Sequence, residues 1–528
     1  FKWLKRNELM NRWRHAVLFF LFGFHYFEES FGRPNILVIL SDDQRADHLG
    51  VNGHPVLQTP NLDNLAEEGM NFRNAFASST ACTPNRTCIL TGQYERKHGV
   101  NFNSGSSLKE EAWERTYPML LKKAGYYVGY VGKNHTPIGK SGQGVGYQSG
   151  VMDSSFNYWY GNHNHSTFYP KNKFPIYRNA RVNTQVEIFT EGALNFLSEQ
   201  NGFTGASEFL KSRPLDKPFC LLVNLNVPHN KGTSTMRLLP KDPELYKSAY
   251  RDQLEDLPIP STYLAEDEIK RPKLPSYVYN GQYLDSYNYV KNRADLRERM
   301  VRVCQTVEGV DRMVGSLLAK LKQDGVADNT VTFFTSDHGI QHGEHGLGGK
   351  VLLYEESLRV PMIVHDPRIP KGSRDGQSVE LVLSIDLAPT ILELAELPAD
   401  DEMQGMSLIP LMHEKSIDWR HDFFAENLFT GQNYPRIEAV REKELKYIRY
   451  FSESHRIPYR KLLLASIEGE FPIFEELYDL SKDPHEKKNL VGEKNYRMDL
   501  IRLRKRCQQL VTQAKGSNIY PMTWPSVK

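Results

Sequence analysis

The chain has 528 residues, 25% of them charged, and a formal net charge of +2. A chain of this length buries a large core and is expected to divide into more than one domain or subdomain. Near-balanced charge excludes a global basic field for nucleic acid, so attraction to any anion must be local.

In chain order, residues 1–30 read as a leader. Arg12 and Arg14 precede an apolar run over 16–24, the shape of a secretory signal peptide and too short to span a bilayer. Its cleavage end is poor, because Tyr26-Phe27-Glu28-Glu29 offers no pair of small residues. The leader predicts export, to a periplasm or the medium, or to a lysosome in a eukaryotic host, with no stable membrane span. Residues 35–40 are almost wholly apolar, as in a parallel strand covered on both faces. They deliver Asp42 and Asp43 to the carboxyl end of that strand, where open α/β sheets place their ligands. Thr59-Pro60 opens a short helix that Gly69 closes. Cys82-Thr83-Pro84-Asn85-Arg86 then suits a turn into a helix. A helix over 116–124 precedes a strand over 126–131, which delivers Lys133 and His135. The Gly- and Ser-rich residues 139–150, and the aromatic and His-rich stretch to about 173, read as loop and as the wall of a site.

A buried strand over 219–224 leads to Pro228-His229, and 230–285 reads as a long irregular lid. Residues 297–321 predict a helix with Val301, Cys304, Val307, Val310, Val314 and Leu317 on one face. A strand over 329–335 ends in Ser336-Asp337-His338-Gly339, followed by a strand over 360–364 and a helix over 385–397. This alternation predicts an α/β fold with a large, mostly parallel sheet flanked by helices. Near 415 the texture changes. Short strands over 421–426, 437–441 and 445–450 follow one another without helices, and a basic helix over 496–514 closes the chain. The expected division is a catalytic domain over 33–412 and a smaller α+β subdomain over 413–528, built on an antiparallel sheet.

The five cysteines, Cys82, Cys88, Cys220, Cys304 and Cys507, are scattered, which is neither a disulfide framework nor a zinc-finger spacing. Cys82-x-Pro84-x-Arg86 with Leu90-Thr91-Gly92 behind it instead resembles the signature of the formylglycine-dependent (type I) sulfatases, in the alkaline phosphatase-like superfamily. The polar clusters that follow the other strands extend the resemblance from about residue 34 to 490. They are Asp42-Asp43-Gln44, Gly132-Lys133-x-His135, Pro228-His229, Ser336-Asp337-His338-Gly339 and, further on, Lys350. The run from Ser336 to Lys350, with Gly343-Glu344-His345-Gly346 inside it, is most similar to the iduronate-sulfatase branch.

The resemblance implies an enzyme that removes sulfate from a sulfated carbohydrate. In that family a formylglycine-generating or anaerobic sulfatase-maturing enzyme oxidises the cysteine, here Cys82, to an aldehyde that hydrates to a diol. Asp42, Asp43, Asp337 and His338 would then hold one hard divalent cation together with the converted Cys82. Calcium suits so oxygen-rich a set, and the imidazole of His338, where many relatives carry Asn, leaves room for magnesium or manganese. Arg86 would anchor the diol, and Lys133 and Lys350 would bind the sulfate. His229 and Lys350 would protonate the departing sugar oxygen, and His135 would deprotonate the second diol hydroxyl and so expel inorganic sulfate. Asn85 departs from the serine common at its place, which bears on how efficiently the cysteine is matured. Two alternatives remain: a phosphonate or phosphate monoester hydrolase of the same superfamily, and an unmatured module that only binds sulfated glycans.

Overall fold

A computed structural model describes residues 32–528 except 102–104, 143, 165–174, 176–177, 179–204, 230–248, 271–272, 276–277, 279–289, 371–375, 414–416, 431–433, 452–458, 518–521 and 524–528. The leader over 1–30 and most of the expected lid lie outside the described residues. No helix among the described residues is long and apolar enough to cross a membrane.

The elements that organise the site are, in chain order, β1 (Asn35–Ser41), α1 (Pro60–Glu68), β2 (Met70–Phe76), α2 (Cys82–Thr91), α3 (Tyr117–Lys123), β3 (Tyr127–Asn134), β4 (Tyr158–His163), β5 (Phe219–Asn224), α4 (Arg293–Gln323), β6 (Thr330–Ser336), β7 (Arg359–Val360), β8 (Met362–His365) and β9 (Gln377–Leu383). The nine strands form one sheet in the order β7-β2-β8-β6-β1-β5-β3-β4, with β9 paired to β2. Its centre is parallel: β1 pairs with β5 and β6, and β3 with β4 and β5. Strand β8 runs antiparallel between β6 and β2, which makes the sheet mixed.

The uninterrupted apolar sequence of β1 follows from burial on both faces. Ile36, Val38 and Leu40 point into one core cluster, and Leu37 and Ile39 into the other. The long helix α4 covers the second face with Val310, Met313, Val314 and Leu317. Asn292 caps it, its side chain accepting from the Asp295 N–H. Its Asp311 in turn accepts from the Leu62 N–H at 2.8 Å, so α4 caps α1.

The aromatic stretch after residue 150 corrects the sequence reading. Residues 158–163 are not loop but β4, paired in parallel with β3, and Tyr160 is buried in the core. A pattern of alternating Tyr and Trp fits a half-covered edge strand as well as it fits a wall of rings. Strands β2 and β9 carry no expectation from the sequence. The strand read over 360–364 is two short pieces broken at Pro361, which has no N–H for the ladder.

The carboxyl-terminal strands β10 (Asp422–Asn427), β11 (Arg436–Glu442), β12 (Leu445–Phe451) and β13 (Phe474–Asp479) form an antiparallel four-stranded sheet in that order. Helix α5 (Arg497–Lys515) buries Leu503, Cys507 and Val511 against one face. The other face joins the nine-stranded sheet in a cluster that includes Phe76, Tyr354 and Leu383. Glu476 on β13 lies inside this junction and accepts hydroxyl protons from Tyr354, Tyr450 and Tyr478. All five cysteines are buried and unbridged.

A second buried carboxyl yields a pH prediction. Glu95 accepts from Ser79 Oγ at 2.7 Å and from Asn101 Nδ2 at 3.3 Å. Burial, reinforced by the neighbouring Glu426, pushes its pKa up from 4.5 to about 8. The folded protein therefore holds a proton there that the unfolded chain gives up, so this group costs stability as pH rises from about 4.5 to about 8. At ~1.4 kcal/mol per pKa unit the cost amounts to a few kcal/mol at the upper end. Glu95→Gln is expected to raise the melting temperature at pH 8 much more than at pH 5. An equal change at both pH values would mean that Glu95 does not titrate in this window.

Candidate active site

The strand register brings the site together. Ser41 lies opposite Ser336, Leu40 opposite Asn224, and Asn224 opposite Gly132. β1, β3, β5 and β6 therefore end at one edge of the sheet and deliver Asp42-Asp43, Lys133-His135, His229 and Asp337-His338 side by side. Gly132 is required there. Its φ is +94°, and an added Cβ would lie 2.0 Å from the Asn224 carbonyl oxygen. Asp43 also takes a left-handed backbone, with φ 64°, a conformation that Asp tolerates better than most residues.

Cys82 is the first residue of α2, with Ala81 as the N-cap, and every residue of this helix is buried. The helix N-terminus, with its unpaired N–H groups, favours negative charge at this spot. Around the sulfur stand Lys350 Nζ at 3.0 Å, His338 Nε2 at 3.2 Å and Asp42 Oδ1 at 3.6 Å. Lys350 also donates to Asp43 Oδ1 at 2.8 Å, and Lys133 donates to Asp42 Oδ2. One turn along α2, Arg86 donates through Nε to Asp337 Oδ2 at 2.8 Å and lies 3.3 Å from Asp42 Oδ2. His229 Nε2 is 3.8 Å from Asp43 Oδ2. His135 is buried at the end of β3, its ring centroid 5.9 Å from that of Tyr147. Tyr147 ties this end to α2, since its hydroxyl donates to the His135 carbonyl and lies 3.2 Å from Thr83 Oγ1.

Asp42, Asp43, Cys82 and His338 each offer a ligand atom within 4.8 Å of the others. Asp43 Oδ2 is buried with no hydrogen-bond partner among the described residues. His338 Nδ1 lies 2.9 Å from the Gly339 carbonyl, and a proton donated there leaves the Nε2 lone pair facing into the cluster. This donor set can hold a divalent metal ion. Asp337 stands in the same cluster with its carboxylate engaged otherwise. Oδ1 accepts from the His338 N–H at 2.9 Å and the Asp43 N–H at 3.2 Å, while Oδ2 takes Arg86.

The Sulfatase family profile matches residues 34–397. The chain belongs to the sulfatase family. A second profile, N-sulphoglucosamine sulphohydrolase, C-terminal, matches residues 343–462 and so runs from the Lys350 segment into the antiparallel sheet. The sulfatase is 28% identical over 511 residues to an arylsulfatase of Clostridium perfringens, covering 90% of this chain and 93% of the relative. It is 25% identical over 526 residues to an N-acetylglucosamine-6-O-sulfatase of Bacteroides thetaiotaomicron, covering 89% and 84%. Its fold matches that of a protein solved with its substrate D-glucosamine-2-N,6-O-disulfate, at TM-score 0.64 and 24% identity, covering 92% of this chain and 99% of that one.

Charge in the sulfatase site is arranged for an anion between cations. Burial alone would raise the Asp42 pKa, but Lys133, His229, Arg86 and Lys350 together hold it well below the usual carboxylate range. Asp43 is shifted the other way: burial dominates, Asp42 and Asp337 add to it, and Lys350 and His338 offset only part. Lys350 is held well above its ordinary value, against burial, by Asp43, Cys82, Asp42 and Asp337, so it is protonated at neutral pH. Burial and the cationic Lys350 drive His229 well below the usual imidazole value. Burial and Asp42 push the Cys82 thiol up to about 12, which leaves it protonated and a poor nucleophile at neutral pH.

Sequence reasoning missed two residues that shape this site, Tyr147 and Thr80, and the packing role of a third, Asn85. Asn85 donates to the Asp337 carbonyl and accepts from Ser384 Oγ at 2.8 Å and the Ser78 N–H at 3.2 Å. It thereby pins α2 to β6, which the shorter serine has too little reach and too few groups to do. Tyr147 and Thr80 were hidden for another reason, because their partners lie 64 and 271 residues away.

Proposed function

We propose that this sulfatase hydrolyses sulfate esters of a carbohydrate, with Cys82 converted to formylglycine by a maturing enzyme and one divalent cation bound beside it. The observation that carries this reading is the packing of Lys350, His338 and Asp42 around the Cys82 sulfur at a helix N-terminus. Asp42, Asp43, His338 and the converted residue 82 would hold the cation, with Asp337 beside them. Three carboxylates favour calcium, and the imidazole also suits magnesium or manganese. When bound, the cation supplies Lewis acidity and the hydrated aldehyde supplies the nucleophile.

The remaining work falls to side chains. Arg86, fixed by Asp337 and one turn along the helix that residue 82 opens, would anchor the hydrated aldehyde with its rigid guanidinium. Lys133, buried, and Lys350, partly buried, offer N–H donors to the sulfuryl oxygens, where each counts for more than in water. His229 and Lys350 donate a proton to the departing sugar oxygen, and His135 accepts one from residue 82 as sulfate leaves. The relatives named for N-acetylglucosamine 6-sulfate point to a sulfated amino sugar as the first substrate to test. A signal-like leader supports export to where such glycans occur.

Intact-mass analysis of the Cys82 peptide tests maturation. The aldehyde is expected about 18 Da below unmodified cysteine, unlike the mass gains of the thiol oxidation ladder. Full activity with an intact thiol would overturn the reading, and a fully unconverted, inactive protein would leave only glycan binding. Side-by-side turnover of aryl sulfates and aryl phosphates separates sulfatase from phosphohydrolase. A screen of defined sulfated oligosaccharides, read by released sulfate, then names the substrate.

A further inference from the structure

Lys350 does not sit on a strand or helix, yet its Nζ stands 3.0 Å from Cys82 Sγ and 2.8 Å from Asp43 Oδ1. Something must hold the segment that carries it. On one side Gly348–Gly349 pairs with Gln341–His342. On the other, Val351 has φ 85°, a backbone conformation that is unfavourable for a β-branched residue and persists only where its surroundings enforce it. What enforces it is Thr80, two residues before Cys82. The Val351 N–H donates to the Thr80 carbonyl at 3.1 Å, and Thr80 Oγ1 donates to the Val351 carbonyl at 2.7 Å. Both polar backbone groups of Val351 are thus tied to one residue. Thr80 is fully buried, so its hydroxyl has no water to turn to.

We propose that Thr80 is a positioning residue for sulfate cleavage. Its two-way clamp on Val351 fixes the lysine one residue earlier against residue 82. The clamp links the segment that presents the nucleophile to the segment that presents the sulfate-binding cation, so the two keep a common frame even though 268 residues separate Lys350 from Cys82. Thr80 is not among the residues read above as holding metal or sulfate, and its effect passes through Lys350. The proposal therefore rests on the reading of Lys350 given above.

The test is a double-mutant cycle between Thr80→Val and Lys350→Met on the matured, metal-loaded enzyme, with rates normalised to the formylglycine fraction found by mass spectrometry. Valine keeps the shape of threonine and removes only the hydroxyl. Thr80→Val is expected to lower kcat/KM for an aryl sulfate on the order of tenfold to a hundredfold, the scale of a small misplacement of a catalytic group. It should weaken inorganic sulfate binding, measured calorimetrically, in parallel. Thr80→Ser should restore both to within about threefold, since the hydroxyl returns. In the Lys350→Met background Thr80→Val should cost nothing more, because the group it positions is gone. If Lys350→Met is itself fully active, the reading of Lys350 fails. If Lys350→Met is impaired but Thr80→Val is not, or if the two losses multiply, the clamp proposal is overturned while that reading stands. Should Thr80→Val fail to fold, Thr80→Ala carries the same comparison.

Discussion

Asp42→Ala is expected to abolish turnover and metal retention together, with a rate loss of at least ~10²-fold. Asp42 has the most exacting position in the site. Its Oδ1 faces the Cys82 sulfur, and its Oδ2 takes Lys133 and lies 3.3 Å from Arg86. Removing the carboxylate deletes a ligand and also strands two buried cations, and breaking such a pair typically costs about 3–5 kcal/mol of stability. Asp42→Asn separates the two effects, because it keeps the shape and one acceptor oxygen and removes the charge. Elemental analysis after dialysis should find metal in the wild type and little in either variant, with the alanine variant the less stable to heat. Unchanged activity after exhaustive chelation would falsify the metal role.

His229→Ala and His135→Ala are expected to fail at different steps. Burial and Lys350 keep His229 neutral in the free site, and an arriving sulfate adds negative charge that offsets the lysine and makes the imidazole easier to protonate. If His229 then serves the leaving group, its loss should be largest for sugar alcohols and small for activated aryl sulfates that leave without help. His135→Ala should release aryl alcohol in a stoichiometric burst and then turn over slowly, because the proton acceptor for sulfate departure is missing. The measurement is a pre-steady-state burst on both variants, with aryl sulfates of graded leaving-group pKa. A burst from His229→Ala and none from His135→Ala would reverse the two roles. Equal losses with no leaving-group dependence and a lowered melting temperature would make both histidines structural.

Much of the site is legible in the linear chain because its parts sit at strand ends, and a strand buried on both faces announces itself. Residues 35–40 and 219–224 have almost no polar side chain, so the carboxylates and the histidine that follow them stand out. The strands that escaped notice break that rule. β2, Met-Asn-Phe-Arg-Asn-Ala-Phe, carries three polar side chains. β13 carries Glu475 and Glu476, and a glutamate inside a core strand looks like a surface residue until Tyr354, Tyr450 and Tyr478 are seen to surround it. The aromatic run over 158–163 misled in the opposite direction, since ring-rich sequence does not say whether the rings face a ligand or a core.

By itself the sequence determined the α/β plan and the order of the polar clusters along the chain, because hydrophobic period and local motif are properties of neighbours along the chain. Only the tertiary structure decided how those clusters converge. The shared register of β1, β3, β5 and β6, the seating of Cys82 at a helix N-terminus and the aim of Lys350 depend on pairings across tens to hundreds of residues. Such pairings are set by backbone hydrogen bonds and buried side-chain contacts that no local pattern encodes. Thr80 shows the difference most plainly: an ordinary threonine in the sequence, and in the fold the partner that holds a positive-φ valine in place beside Lys350.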